Sequence, residues 1–211
     1  MKSVDGSIVF PNPRQATPEG LVAYGGSIEP ATLRAAYRKG IFPWPQEGAP
    51  MLWFCPDPRG VLDFDDFHVP RSLVKFAKRS KWMFTINQAF REVMLACQSQ
   101  SRPGQAGTWI VPEMVPAYEK LHQAGEALSL ECWEDGVLIG GIYGVLLDGL
   151  FSGESMFFSR SNASKMCLWK VVEHLKTLGH TWMDIQMVTD VTAQMGGKYI
   201  AREEFLQRRG L

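Results

Sequence analysis

The chain is poor in the residues that announce the commonest chemistries. It has four histidines in 211 residues, and His68, His122, His174 and His180 stand at no metal-ligand spacing. His122 falls near the end of a predicted helix, where a capping or surface histidine is the ordinary outcome. The four cysteines (Cys55, Cys97, Cys132 and Cys167) are scattered and form no C-x-x-C pair. That excludes a zinc knuckle and a disulfide framework, and it fits a reducing compartment. No G-x-S-x-G elbow and no P-loop is present, which removes the usual signatures of a serine hydrolase and a nucleotide triphosphatase. Formal net charge is zero, so no global field draws in nucleic acid and any such site must be a local patch. The longest apolar stretch, VLIGGIYGVLL from Val137, is far shorter than the roughly 20 residues of a membrane-spanning helix. The opening MKSVDGSIVFPNP lacks the apolar stretch of a secretory signal. The expectation is a soluble cytoplasmic protein with no membrane partner.

What is present is organised in two parts. The first sixty residues are rich in Gly and Pro and hold one clear helix, with Pro30 at its start, Leu33, Ala36 and Tyr37 on its apolar face and Gly40 as its stop. The proline-punctuated GIFPWPQEGAPMLWFCPDPRG then reads as a shaped aromatic loop against a second domain, with a boundary near Gly60. This divides the chain into a small N-terminal domain, 1–60, and a larger one, 61–211. In the larger part, RSLVKFAKRSK (71–81) is basic and free of acids. Asn87 is placed to cap a helix carrying Phe90, Val93, Met94 and Cys97 at core spacing. After the loop SQSRPGQAG and TWIVPEM comes a helix through Tyr118 and Leu121, stopped by Gly125. ALSLECW, VLIGGIYGVLL and LFSGESMFF, separated by EDG and DG turns, predict a three-strand antiparallel meander. Gly140, Gly141 and Gly144 in its middle strand imply a bulge or a close backbone approach. A helix from about Asn162 to Leu178 and the strand TWMDIQM follow. The layout is α+β around a mostly antiparallel sheet, and the order meander, helix crossover, strand matches an acetyltransferase-like core. Fold alone says little about substrate.

Four groups of residues can carry chemistry or binding. In TWMDIQM, alternation puts Asp184 and Gln186 on one face and Met183, Ile185 and Met187 on the other. An ordinary solvent face and an acid–amide pair lining a cleft both fit. An acid can accept a proton and an amide can donate to a developing oxyanion. In LFSGESMFF, Glu154 shares a face with Ser152 and Met156 inside an apolar run. A buried carboxylate there needs a partner or a cavity. Arg71, Lys75 and Lys78 stand at i, i+4 and i+7, either a solvated helix face or a phosphate-binding one. The aromatics Phe42, Trp44, Trp53, Phe54, Trp109 and Tyr118 fit domain-interface core, a base-stacking platform or an apolar pocket wall.

Taken together, YRKGIFPW, CPDPRG, TWI, AYEKLHQAG, GGIYG, GESMF, NASK and DIQ resemble, in order and at compatible spacing, the leucyl/phenylalanyl-tRNA–protein transferase family over nearly the whole chain, from about Gly20 to Leu206. The resemblance implies a small N-terminal domain on an acetyltransferase-like domain. It implies peptide-bond formation in which Leu or Phe, with Met as a further candidate, moves from aminoacyl-tRNA to the N-terminal Lys or Arg of an acceptor protein, marking it for degradation. By that resemblance Asp184 and Gln186 are the catalytic pair and Glu154 the active-site acid. Trp44, Trp109, Tyr118 and Ile142 fall in the aminoacyl and terminal-adenosine pocket. Phe42, Trp53, Ser152 and Met156 join them in the candidate substrate-binding set, and Arg71, Lys75 and Lys78 contact tRNA. The aminoacyl ester is already activated, so no cofactor and no metal is called for. A monomer is the default.

The chain departs from the family pattern at Leu128 and Val191, where the family typically carries histidine, at QMGG for S-L-G-A, and at Trp53-Phe54-Cys55 for Trp-Trp-Ser. Three other functions use related features. An acyl-CoA N-acetyltransferase needs a glycine-rich pyrophosphate turn where this chain has SRSNASK. A non-catalytic RNA-binding module would leave the Asp184, Gln186 and Glu154 set unexplained. An arginyl-transferring relative would have to bury a cation in an apolar pocket.

Overall fold

The computed structural model describes residues 2–4, 7–46, 48–100 and 109–211. Most of the predicted loop SQSRPGQAG, and Thr108 of TWI, lie outside the described residues. The N-terminal part opens with a hairpin of β1 (Lys2–Val4) and β2 (Ser7–Val9), followed by β3 (Leu21–Tyr24), α1 (Pro30–Arg38), β4 (Phe42–Pro43) and β5 (Leu52–Phe54). Pro30 opens α1, where its missing N–H has no intrahelical role. Leu33, Ala36 and Tyr37 bury one face, and Gly40 ends the turn at φ +70°. The aromatic stretch read as a loop instead contributes β4 and β5, which pair antiparallel in the order β3-β5-β4. Pro43 is tolerated because β4 is an edge strand.

The larger part runs β6 (Arg59–Asp63), α2 (Arg71–Ala77), β7 (Met83–Ile86), α3 (Phe90–Ser99), α4 (Met114–Gln123), β8 (Ala127–Glu134), β9 (Val137–Leu147), β10 (Leu150–Phe158), α5 (Ala163–Thr177), β11 (Trp182–Gln186), α6 (Asp190–Ala193), β12 (Lys198–Ile200) and α7 (Arg202–Arg208). Its seven-stranded sheet has the order β12-β6-β11-β10-β9-β8-β7. All neighbours are antiparallel except β10 and β11, which the α5 crossover makes parallel. The meander β8-β9-β10 turns at Asp135-Gly136 and Asp148-Gly149, and all four residues have positive φ, as tight hairpins require. Gly60 lies inside β6, between β12 and β11.

Asn87 does not cap α3. Its side-chain oxygen accepts from Ser129 N–H at 3.0 Å, and its own φ is +59°. The start of α3 is met instead by the Glu131 carboxylate from β8, which accepts from Ala89 N–H at 3.3 Å and from the Thr85 and Ser129 hydroxyls. A carboxylate at a helix N-terminus satisfies an orphan donor and opposes the helix dipole.

Alternation along the strands divides the apolar residues between two cores. Val61, Tyr143 and Val145 pack with α1, α3, α4, α7 and the N-terminal sheet, so the two parts of the chain share one core. Leu62, Leu130 and Ile142 pack with α2 and α5 on the other side. The glycines of β9 allow close approach: a Cβ on Gly144 would lie 2.2 Å from the Ser152 carbonyl oxygen, and one on Gly140 would lie 2.7 Å from Ala163.

Candidate active site

The two parallel strands are joined at Ser152↔Asp184, and just beyond that point both lose regularity. In β10, Gly153 pairs with Gly144 and Ser155 with Tyr143, so Glu154 is the extra residue of a bulge. In β11, Asp184 pairs with Val61 and Gln186 with Gly60, so Ile185 is the extra residue. Gln186 takes a left-handed φ of +60°, closed by Met187 N–H donating to the Ile185 carbonyl at 2.6 Å. Such a three-residue turn is strained for a residue with a Cβ. Gly60 beneath it is required, because a Cβ there would lie 2.9 Å from the Met187 backbone.

A cavity of about 290 Å³ opens beside these irregularities. Residues 153–156 all line it, as do 185–187. Strict alternation allows only every second residue, so the bulges build this wall. Ile142, Leu168 and Met183 add apolar surface, and Trp44 and Trp109 stack on each other at 5.5 Å with an interplanar angle of 9°. Thr189 and Thr192, at the start of α6, complete the lining.

The polar groups form one connected chain. Gln186 Nε2 donates to Glu154 Oε1 at 2.6 Å, and the Tyr118 hydroxyl donates to Glu154 Oε2 at 3.3 Å. Tyr118 and Tyr37 share a hydroxyl–hydroxyl bond of 2.7 Å. If Tyr118 donates to the carboxylate, Tyr37 donates to Tyr118. Burial of Glu154 pushes its pKa up to about 8; the Tyr37 hydroxyl opposes the rise, the negative charge of Asp184 adds to it, and hydrogen bonds from Gln186 and Tyr118 oppose it. Burial likewise holds both tyrosine hydroxyls well above their ordinary range. Asp184 is not part of the cavity wall. It is buried in a bidentate pair with Arg59, with Nε to Oδ1 at 2.8 Å and Nη2 to Oδ2 at 2.7 Å. It also accepts from Ser152 Oγ at 3.2 Å and from the Gln186 backbone N–H at 2.9 Å.

The structure therefore brings Glu154, Gln186, Trp44, Trp109, Ile142 and Met156 onto one cavity, with Tyr118, Asp184 and Ser152 bonded behind them. Phe42 and Trp53 lie elsewhere. Phe42 is buried beneath the Arg59 guanidinium at 4.7 Å. Trp53 is fully buried against Phe10 and donates its indole N–H to the Gly25 carbonyl at 2.9 Å. The apolar alternation expected of Met183, Ile185 and Met187 does not hold, since Met187 is exposed while Asp184 and Gln186 are buried. Arg71, Lys75 and Lys78 are exposed on α2 and its C-terminal cap. Leu128 is buried among the α5-side core and Val191 packs against it, and neither lines the cavity. His122 stacks on Phe90 at 4.4 Å, and burial lowers its pKa. Sequence reasoning passed over Tyr37, Arg59, Thr189 and Thr192. Tyr37 and Arg59 stood in two quoted motifs, YRKGIFPW and CPDPRG, but their partners are remote in sequence.

A meander, a helix crossover and a parallel strand, with an acid and an amide beside a cavity where the parallel pair ends, define an acetyltransferase-like α+β protein. The family model for the leucyl/phenylalanyl-tRNA protein transferase matches residues 61–209, and the model for that family's N-terminal domain matches residues 26–57. The chain belongs to this family. It is 46% identical over 203 residues to the leucyl/phenylalanyl-tRNA–protein transferase of Anaeromyxobacter sp. (strain Fw109-5), covering 96% of this chain and 86% of that one. The transferase of Pectobacterium carotovorum subsp. carotovorum (strain PC1) is 46% identical over 204 residues, with the same coverage of 96% and 86%. Among solved structures, L-PGS from Bacillus licheniformis shares 12% identity at a TM-score of 0.43, over 72% of this chain and 48% of that one. A GCN5-related N-acetyltransferase from Kribbella flavida shares 12% identity at a TM-score of 0.40, over 80% and 59%. Among the described residues no helix is long and apolar enough to cross a membrane.

Proposed function

We propose that this enzyme moves Leu or Phe from aminoacyl-tRNA to the N-terminal Lys or Arg of acceptor proteins, and that the cavity between β10 and β11 is where the peptide bond forms. The observation that carries this reading is the Glu154–Gln186 pair, bonded at 2.6 Å, on the wall of a cavity otherwise dominated by apolar side chains. Ile142, Met156, Leu168 and Met183 offer an apolar seat for Leu or Phe and disfavour a charged side chain by desolvation. The stacked Trp44 and Trp109 offer aromatic surface to the terminal adenosine.

The reaction needs the acceptor α-amine to attack the ester carbonyl, the ester C–O bond to break and the ribose oxygen to leave. Holding amine and ester together supplies much of the rate. The amine must also lose a proton. An α-ammonium loses its proton near pH 8, roughly 7.7–8.0 in peptides, and burial places Glu154 at about 8. Transfer between the two is nearly balanced, which suits a general base. Asp184 is already occupied by Arg59 and Ser152, so its role is to hold Gln186, whose amide bonds Glu154 and faces the ester. Glu154 thus stays neutral in its apolar strand until pH approaches about 8, and its ionised form is the one that takes the amine's proton. The exposed Arg71, Lys75 and Lys78 track tRNA phosphates without reading sequence.

The division into 1–60 and 61–211 belongs to the same proposal. It is supported by the two family regions, 26–57 and 61–209, which meet around it. So do a cytoplasmic location, marking of acceptors for degradation, and action as a monomer. The test is a transfer assay with labelled Leu-tRNA or Phe-tRNA and peptides beginning with Lys, Arg or Ala. Label is expected on the Lys and Arg peptides alone and is lost in Asp184→Ala. Bound charged tRNA with no labelled peptide would refute the reading.

A further inference from the structure

Among the described residues Arg59 is the one lysine or arginine that is fully buried, and it does not line the cavity. Its guanidinium is 1% exposed and lies between two aromatic rings, 4.7 Å from the Phe42 centroid and 4.4 Å from that of Phe205. Two of its nitrogens bond Asp184, and Nη1 has no hydrogen-bond partner. A buried guanidinium left short of one acceptor is costly, and two ring faces only partly compensate. A fold that needed a filled space here would place an apolar side chain.

The carboxylate that Arg59 holds leads to the Gln186 turn. Asp184 Oδ1, held by Arg59 Nε, also accepts the Gln186 backbone N–H at 2.9 Å. That bond spans two residues and holds the left-handed conformation, φ +60°, that a residue with a Cβ otherwise avoids. Gly60, next to Arg59 on β6, provides the space beneath Met187 that the turn requires. The turn in turn aims Gln186 Nε2 at Glu154. One dipeptide, Arg59-Gly60, therefore supplies both the charge and the clearance. Phe42 comes from the N-terminal sheet and Phe205 from α7, so the clamp joins the two ends of the chain at the site.

We propose that Arg59, gripped by Phe42 and Phe205, is a positioning residue for aminoacyl transfer: it locks Asp184 so that the strained Gln186 turn stays in place. This rests on the function proposed above. If the turn is the quantity controlled, loss of Arg59 slows the chemical step and leaves tRNA binding alone, because α2 packs elsewhere in the fold.

The experiment measures single-turnover transfer at saturating Leu-tRNA or Phe-tRNA, alongside binding of the charged tRNA, for Arg59→Lys, Arg59→Met, Asp184→Asn and the Arg59→Met/Asp184→Asn double variant. Arg59→Lys keeps the charge but loses the bidentate geometry, and its rate is expected to fall at least tenfold with tRNA affinity within threefold of wild type. Arg59→Met is expected to fall at least a hundredfold. The double variant is expected to match Asp184→Asn, since both act through one unit. It also carries the test where the unpaired Asp184 charge of Arg59→Met unfolds the chain, because it leaves no lone charge buried. A folded Arg59→Lys with wild-type rate, or a double variant at least tenfold slower than Asp184→Asn, overturns the inference. Absence of transfer by the wild type itself overturns the proposed function instead.

Discussion

Glu154→Gln separates the ionisation of the buried acid from its shape. In the folded chain the carboxyl holds its proton up to about 8, whereas its unperturbed value is 4.5. Between those values the folded state binds a proton that the unfolded state has released. Stability contributed by the neutral carboxyl is therefore complete below 4.5 and is lost as pH rises through 8. Each pH unit is worth about 1.4 kcal/mol, so the full span of 3.5 units (8 − 4.5) amounts to roughly 5 kcal/mol. Gln has the same size and no charge. Its carbonyl oxygen still accepts from Gln186 Nε2, and its amide donates to Tyr118, which can turn its own hydroxyl to Tyr37. Urea denaturation of both proteins at pH 5 and pH 8.5 cancels the pH dependence they share. The stability of Glu154→Gln minus that of wild type should rise by about 4 kcal/mol between the two pH values. A difference constant within about 1 kcal/mol would refute the claim that burial controls this acid. The same variant should bind charged tRNA normally and transfer about 10²- to 10⁴-fold more slowly, the range of a lost general base. Full transfer activity would remove Glu154 from the mechanism.

Other perturbations probe separate parts of the molecule. Replacing Arg71, Lys75 and Lys78 together with Ala should reduce the slope of log affinity for tRNA against log salt by about 2–3, with the transfer rate at saturating tRNA unchanged; an unaltered slope would remove this face from the tRNA site. Trp44→Ala should weaken binding of a non-hydrolysable aminoacyl-adenosine by about 1–3 kcal/mol, read by calorimetry, through loss of a stacking surface. Glu131→Ala should cost about 2–4 kcal/mol of stability in denaturant, because it strips partners from Ala89 N–H, Ser129 and Thr85 at once, while the folded fraction keeps the wild-type rate per molecule.

The elements legible in the sequence are those whose signals are local. Pro30 and Gly40 bracket α1, the two Asp-Gly turns delimit the meander, and apolar period marks α5. Some short strands were not legible. β7 and β12 have four and three residues, too few to show alternation, and β6 joins the sheet only because β11 and β12 arrive more than a hundred residues later. At the site, Asp184, Gln186 and Glu154 were legible as polar residues in apolar strands, but their partners were not. Arg59 is 125 residues from Asp184, and Tyr37 is 81 from Tyr118. Alternation also failed at the cavity. A regular β10 would put Ser152, Glu154 and Met156 on one face and Gly153 and Ser155 on the other. The bulge instead lets Gly153, Glu154, Ser155 and Met156 all meet the cavity, while Ser152 holds Asp184 behind it. A regular β11 would likewise send Ile185 and Gln186 to opposite faces, yet both line the cavity. The cavity wall carries apolar and polar neighbours side by side, and a period of two cannot put neighbouring residues on one wall. The strain at Gln186 follows from breaking that period, and Asp184 and Gly60 are the local means of sustaining it.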